Sequence, residues 1–333
     1  MELYASRGSG TNADPFIIEN LIIDSDFNIN LCCITEPFAF IIQYCEFNNA
    51  SLVLVNINSN FYGSSPFRKD VKILNNIFHD GGLFISSSLI HTVQNNSFYG
   101  ISLGSRISRI SMSYIENFCD NSFESGSIDI TIASNYDEYP LLFEVFSNNT
   151  INGIEIGFFQ NEFNLSISDT YSQLFVFNST LINILNQSIS DSFIGIKIGF
   201  CSNFTLTNSY IANCETAIYI RNSQLIIIQN CTFSNNFVGI EHENLSEYIT
   251  IKFNQIVNYT SYAIFSSSSF CIVTVNNFIE NAVGEFSQAY DIGFNNNWDF
   301  NYWSDWISED YLIDGYGPVY EHDRNPLSSP VDF

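Results

Sequence analysis

With 333 residues, 35 acids against 10 bases and a net charge of −25, the chain repels nucleic acid and anionic lipid, which excludes both as partners. Hydrophobic residues make up 46% of it, with 32 Phe and 18 Tyr, so a long core can be filled by residues that favour strands over helices. No apolar run is long enough to cross a bilayer as a helix, which excludes membrane insertion of that kind.

Taken in chain order, residues 1–15 read as a lead-in and N-terminal cap, residues 16–289 as a repeat, and residues 290–333 as a C-terminal cap with an acidic tail. The first coils are expected at Glu19-Asn20-Leu21-Ile22 and Tyr44-Cys45-Glu46-Phe47. A corner sequence then recurs, at uneven steps, as Asn75-Asn76-Ile77-Phe78, Asn95-Asn96-Ser97-Phe98, Asp120-Asn121-Ser122-Phe123 and Asn148-Asn149-Thr150-Ile151. The longer gap from Asn148 to Asn186 holds either a long loop or one degenerate coil near Asn178. Beyond it the repeat is regular. Ile182-Asn183-Ile184, Phe204-Thr205-Leu206, Ile226-Ile227-Ile228, Ile249-Thr250-Ile251 and Cys271-Ile272-Val273 follow one another at a nearly constant step. Each block is apolar at its first and third positions, as a strand with one buried face requires. A second column runs through Ile189, Ile211, Phe233, Ile256 and Phe278, and a third begins at Gly195, Ala217 and Gly239.

Three short apolar segments per coil of roughly 22 residues, separated by polar corners, describe a single-stranded, right-handed parallel β-helix of about eleven coils. A β-sandwich would need hairpin turns, and the only such dipeptides noted are at Asp80-Gly81 and Asp314-Gly315. The corner column Asn75, Asn95, Asn148, Asn186, Asn208 and Asn230 is expected to form a buried ladder, because a stacked amide supplies both donor and acceptor to its neighbours. On that reading Asn208→Leu strands the amides of Asn186 and Asn230.

Eight cysteines occur without a CxxC pair, so neither a zinc site nor a redox motif is indicated. No two are cleanly one coil length apart, so most read as buried thiols, with Cys32–Cys45 or Cys214–Cys231 as the alternative disulfides. Ten N-x-S/T sequons, among them Asn49, Asn148, Asn203 and Asn230, fit a secreted glycoprotein, but an Asn- and Ser-rich chain also makes such matches by chance.

The repeats resemble those of NosD-type and pectate-lyase-like right-handed β-helix proteins. The opening Gly8-Ser9-Gly10-Thr11-Asn12-Ala13-Asp14-Pro15-Phe16-Ile17-Ile18-Glu19-Asn20 and the late Asn301-Tyr302-Trp303-Ser304-Asp305-Trp306 resemble elements of archaeal surface β-helix proteins. The resemblance implies the fold and an extracellular or cell-surface location. In that subgroup an acidic DGDG-like loop follows the Trp element. Here Glu309-Asp310-Tyr311-Leu312-Ile313-Asp314-Gly315-Tyr316-Gly317 has lost most of it, and two Met and four His offer little for copper. No metal or cofactor is expected. Ca²⁺ on Glu309, Asp310, Asp314, Glu321 and Asp323 is the weaker alternative to a solvated acidic tail.

Outward residues of stacked strands form columns. Lys197, Tyr219 and Glu241 share one, with Arg221 and Glu243 beside them. An aromatic flanked by ionic groups suits a sugar platform, and a base beside a carboxylate suits proton abstraction from a uronic acid. The alternative is a solvated face of paired charges. His242 replaces an inward Ile and reads as a hydrogen-bonded core residue. Trp298, Tyr302, Trp303 and Trp306 read as the cap that covers the open end of the solenoid. Catalytic residue sets of β-helix hydrolases and lyases are missing. The chain therefore reads as a non-enzymatic surface module that binds a glycan or a surface protein, with a polysaccharide lyase or glycoside hydrolase as the alternative and an adhesin or tail-fibre role as the second.

Overall fold

The computed structural model describes residues 6–24, 28–32, 38–57, 70–100, 105–131, 142–243, 245–280, 287–307, 309–315 and 321–333. Among them are many short strands and no helix. They form a right-handed parallel β-helix of about eleven turns. Contacts divide the chain into two units, Met1–Ile156 and Gly157–Phe333.

In the first unit one face stacks Phe16–Glu19, Phe40–Gln43, Val71–Leu74, Leu89–Gln94, Tyr114–Cys119 and Phe143–Ser147, all parallel. The shared register explains the core. On a second face, through Glu46–Asn48, Ile77–His79, Ser97–Tyr99 and Ser122–Glu124, Phe47, Phe78, Phe98 and Phe123 pair in register, are fully buried and lie ring on ring at 4.5, 4.7 and 4.7 Å, close to the strand spacing. The unit ends in a tight reversal. Thr150 pairs antiparallel with Glu155 across Asn152-Gly153, both at positive φ, as a two-residue hairpin turn requires. This Asn-Gly signal is additional to the Gly81 and Gly315 dipeptides singled out in the sequence.

In the second unit a first face stacks Phe163–Ile167, Thr180–Leu185, Ser202–Thr207, Gln224–Gln229, Glu247–Lys252, Ile272–Thr274 and Asn297–Asp299. A second stacks Ser188–Ser190, Tyr210–Ala212, Thr232–Ser234, Gln255–Val257, Asn277–Ile279 and Tyr302–Trp303. A third stacks Gln173–Phe177, Ile194–Gly199, Thr216–Arg221, Val238–His242, Ile264–Ser266 and Ala289–Asp291. The regular step of the sequence is the register itself: Ile182 pairs with Phe204, Phe204 with Ile226 and Ile226 with Ile249. The stretch near Asn178 is a coil and not a loop. Phe163 pairs directly with Thr180, so this coil is shorter than those that follow it.

The asparagine column needs a correction. Asn75, Asn95, Asn148, Asn186, Asn208 and Asn230 all have φ between 53° and 56°. They occupy the left-handed corner position, and all but the half-buried Asn75 are exposed. The buried ladder is one residue further on. Asn76, Asn96, Asn121 and Asn149 are at most 1% exposed, and the backbone N–H and Nδ2 of each of the first three donate to Oδ1 of the next at 2.9–3.1 Å. The same slot in the second unit holds Gln187, Ser209 and Cys231, then Asn254, Asn276 and Asn301. At Asn208 the inward group is therefore the Ser209 hydroxyl, which accepts from the Gln187 N–H at 3.1 Å. A corner needs two properties in succession, tolerance of the left-handed backbone and then a side chain that both donates and accepts. Asn serves both, which is why the sequence puts pairs of them there.

The corner also explains the sequons. Asn49, Asn95, Asn148, Asn164, Asn178, Asn186, Asn203, Asn230 and Asn258 all have positive φ; Asn244 lies outside the described residues. At Asn95, Asn148, Asn178, Asn186 and Asn230 a left-handed Asn, one intervening residue and a strand-starting Ser or Thr spell the motif.

Cysteine occupies the same inward slot as Ser and Asn. Cys45, Cys201, Cys214 and Cys231 point their thiols at the carbonyl two residues back at 3.2–3.4 Å, as Ser88, Ser179 and Ser223 do with their hydroxyls. The seven described cysteines are free thiols, so neither Cys32–Cys45 nor Cys214–Cys231 is a disulfide. Cys33 lies outside the described residues. Burial pushes Cys201, Cys214, Cys231 and Cys271 up to about 12, where almost no reactive thiolate exists at neutral pH. Native protein is thus expected to react with a thiol reagent at Cys32, which is exposed, while these four react only in denaturant. Peptide mapping of labelled native protein checks this, and rapid labelling of Cys231 would contradict the corner assignment.

At the C-terminal end Trp303 is 1% exposed and lies between Phe278 at 4.1 Å and Tyr311 at 4.0 Å, the rings nearly parallel. Trp298 is buried beside both Phe278 and Trp303, while Tyr302 and Trp306 are half-buried. Asp323 departs from the solvated-tail reading. It is fully buried and ends the ladder by accepting from the Asn301 N–H, the Asn301 amide and the Trp303 indole at 2.9–3.0 Å. Burial raises its carboxyl, and these donors hold it back.

Candidate functional site

The third face of the second unit presents the ionic and aromatic column. Parallel register sets Lys197 against Tyr219 and Tyr219 against Glu241, with Arg221 beside Gly199. Glu243 follows directly on the strand Val238–His242. Four of the five residues singled out in the sequence therefore meet on three successive strands, with Glu243 just past the end of the third. The Lys197 ammonium lies 5.0 Å from the centre of the Tyr219 ring, and the lysine is only 7% exposed. Arg221 Nε is 3.4 Å from a Glu243 oxygen.

The electrostatics follow from this crowding. The Tyr219 phenol is pushed up, first by burial and then by its hydrogen bond to Glu243 and that residue's charge. It is a hydrogen-bond donor and not a phenolate base at neutral pH. The Glu241 carboxyl is also raised, by burial and by Glu243, with Lys197 pulling the other way. The Arg221–Glu243 pair is about one-third exposed on each side, so its worth lies in fixing Glu243 rather than in stability.

The same column runs further. Phe265 pairs with Glu241 and Tyr290 with Phe265, the two rings stacked at 5.1 Å, and Tyr262 lies 5.3 Å from Tyr290. Sequence reasoning missed these three aromatics because the coil lengthens there, from Glu241 to Phe265 and again to Tyr290, and the regular step no longer finds them.

On the inner side of the same strand His242 departs from its expected role. It is fully buried, and neither ring nitrogen has a hydrogen-bond partner among the described residues. Desolvation takes it down to about 4, with Asp291 opposing. Asp291 is committed elsewhere, accepting from Gly293 N–H, the Asn296 amide and the Trp298 indole at 2.7–3.0 Å. In the first unit His91 Nε2 stands 3.8 Å from Glu116 and 4.0 Å from Asp70, and Lys72 lies 3.6 Å from Asp70. These groups are partly exposed, a surface network of the weak kind. No group of three His, Cys, Asp or Glu among the described residues is arranged to hold a metal ion.

Residues 146–299 match the family described as right handed beta helix region. The chain is a right-handed parallel β-helix protein. Among solved structures the β-helix resembles the A-module of an Azotobacter vinelandii mannuronan C-5 epimerase, at 12% identity over 84% of this chain and 79% of that one, with a TM-score of 0.29. It also resembles a mannuronic-acid-specific polysaccharide family 6 lyase from human gut microbiota, at 9% identity over 88% and 75% with a TM-score of 0.29. PfbA, a surface adhesin of Streptococcus pneumoniae, follows at 10% identity over 93% and 89%, with a TM-score of 0.22. Likenesses this low carry no argument about function. A search of curated protein sequences returns no match.

Proposed function

We propose that this β-helix is a non-enzymatic extracellular or cell-surface module that binds carbohydrate through the face carrying Lys197, Tyr219, Arg221, Glu241 and Glu243. The observation that supports this most is the in-register column from Lys197 to Tyr290. It sets ring faces and edges beside paired charges on rigid strands. Sugar rings offer apolar C–H faces to aromatics and hydroxyls to ions, and parallel strands hold such groups with little entropy cost on binding. Arg221, about one-third exposed, is the cation of this cluster within reach of a carboxylate on a glycan.

Tyr219→Ala is expected to weaken binding to an acidic-glycan array at least tenfold, with an unchanged far-UV spectrum. Equal binding by the variant would move the site elsewhere. Release of unsaturated uronates or new reducing ends from alginate or polygalacturonate would replace the binding module with a lyase or hydrolase.

A further inference from the structure

The first face of the second unit carries an outward column in which every residue adopts a left-handed backbone: Asn164, Leu181, Asn203, Leu225, Tyr248, Phe270 and Asn295, with φ from 53° to 59°. Three of the seven are Asn, the residue that accepts this conformation at least cost after Gly. The other four are large and apolar, and none is hidden. Leu181 is 45% exposed, Leu225 and Tyr248 are 47% and Phe270 is 39%. Tyr248 stacks on Phe270 at 5.4 Å, and Phe270 meets Phe294, 67% exposed, edge-on at 6.4 Å. Each of the four is unfavourable twice over, once in its backbone and once in its contact with water. Folding does not account for them, because Asn at the neighbouring rungs meets the same backbone demand.

The rest of the face indicates the kind of occupant. The strands Thr180–Leu185, Ser202–Thr207 and Gln224–Gln229 contain no charged residue, on a chain of net charge −25; the next strand carries one charge of each sign, Glu247 and Lys252, at its two ends. Next to the apolar column run Asn183, Thr205, Ile227, Thr250 and Ile272, in register one per coil. Leu181, Leu225, Tyr248 and Phe270 on one line, and the amide of Asn183 and the hydroxyls of Thr205 and Thr250 with Ile227 and Ile272 on the next, stand at the strand spacing. A partner with its own short repeat, without net charge, with apolar faces and hydroxyl rims, matches this mixture of apolar and polar rungs.

We propose that this face binds a neutral polysaccharide laid along the solenoid axis, with Leu181, Leu225, Tyr248 and Phe270 beneath the sugar rings. It is a separate surface from the ionic column and stands whether or not that column binds a glycan.

The test replaces the apolar residues by the residue already found in the column. Leu225→Asn, Tyr248→Asn and the double variant are compared with the unaltered protein for retention on cellulose, chitin and starch, with Tyr219→Ala as a variant of the other face. The expected result is at least tenfold weaker retention for the double variant, no fall in melting temperature, full retention by Tyr219→Ala, and little response to salt. Retention of the double variant equal to the unaltered protein overturns the proposal, as does no retention of the unaltered protein on any of the three. A melting temperature several degrees lower for the Asn variants assigns the apolar column to stability instead. Light scattering that shows a dimer dissolved by Tyr248→Asn assigns the face to self-association and overturns it equally.

Discussion

Asn96→Leu is expected to lower the stability of the protein by roughly 3–5 kcal/mol, among the largest effects of any single substitution. The Asn96 carbonyl oxygen accepts from both the N–H and the amide of Asn76, and its own amide donates to Ile73 O, Gln94 O and Asn121 Oδ1, all at 3.0–3.1 Å. Leucine leaves those donors and acceptors buried and unpaired. Each costs roughly 1–3 kcal/mol, and part of that is recovered as neighbours relax. Asn95→Leu, one residue earlier, removes no buried partner and costs about 1 kcal/mol through its left-handed backbone alone. Urea denaturation of the two variants checks the difference. Equal midpoints would mean that the inward and outward positions of the corner have been exchanged.

His242→Ile is expected to stabilise the protein and to flatten its response to acid. The imidazole stands fully buried in the same inward column as Ile198 and Ile220, with both nitrogens unpartnered among the described residues. Replacing an unsatisfied polar ring by the residue of the two preceding coils gains about 1–2 kcal/mol at neutral pH. The pH effect is larger. Its pKa falls from the ordinary 6.5 to about 4 in the fold, so the unfolded chain takes up a proton that the folded chain refuses. Stability is full above the unfolded value, declines as pH falls from 6.5 to about 4, and levels off below that. The shift corresponds to roughly 3 kcal/mol. The raised carboxyls of Asp323, Glu241 and Glu321 act in the opposite sense. A carboxyl whose pKa is raised on folding destabilises the fold while ionised, and that penalty fades as pH falls through its folded value. Comparing the variant with the unaltered protein at each pH isolates the histidine. A variant that keeps the full acid sensitivity, or that melts lower at pH 7, would show that His242 has a partner in the fold.

How far the amino-acid sequence reaches is clearest at particular columns. The apolar steps from Ile182 to Cys271 became the strand register of the first face with no change of phase, because burial on alternate positions, repeated at a nearly constant step, marks stacked coils. The five-residue ionic cluster was legible for the same reason: register decides which outward residues are neighbours. The ladder was legible as a column and misread by one residue. Asn76 beside Asn75 and Asn96 beside Asn95 are chemically identical, and only the chain path shows that the first takes the left-handed backbone and the second turns inward.

Where the coil length changes, the sequence lost its hold. Phe265 and Tyr290 joined the Lys197–Tyr219–Glu241 column through longer steps than those upstream, which no simple period predicts. Asp323 read as one more acid in a tail, since nothing local marks it as the last rung of an amide ladder and the acceptor for Trp303. The left-handed backbone beneath Leu225, Tyr248 and Phe270 was likewise invisible. Leucine, tyrosine and phenylalanine do not ask for that conformation; the stacking of each coil on the last imposes it. Short-range patterning determined which residues face inward, while the path of the corners, set by hydrogen bonds between coils far apart in sequence, decided which polar and aromatic groups meet.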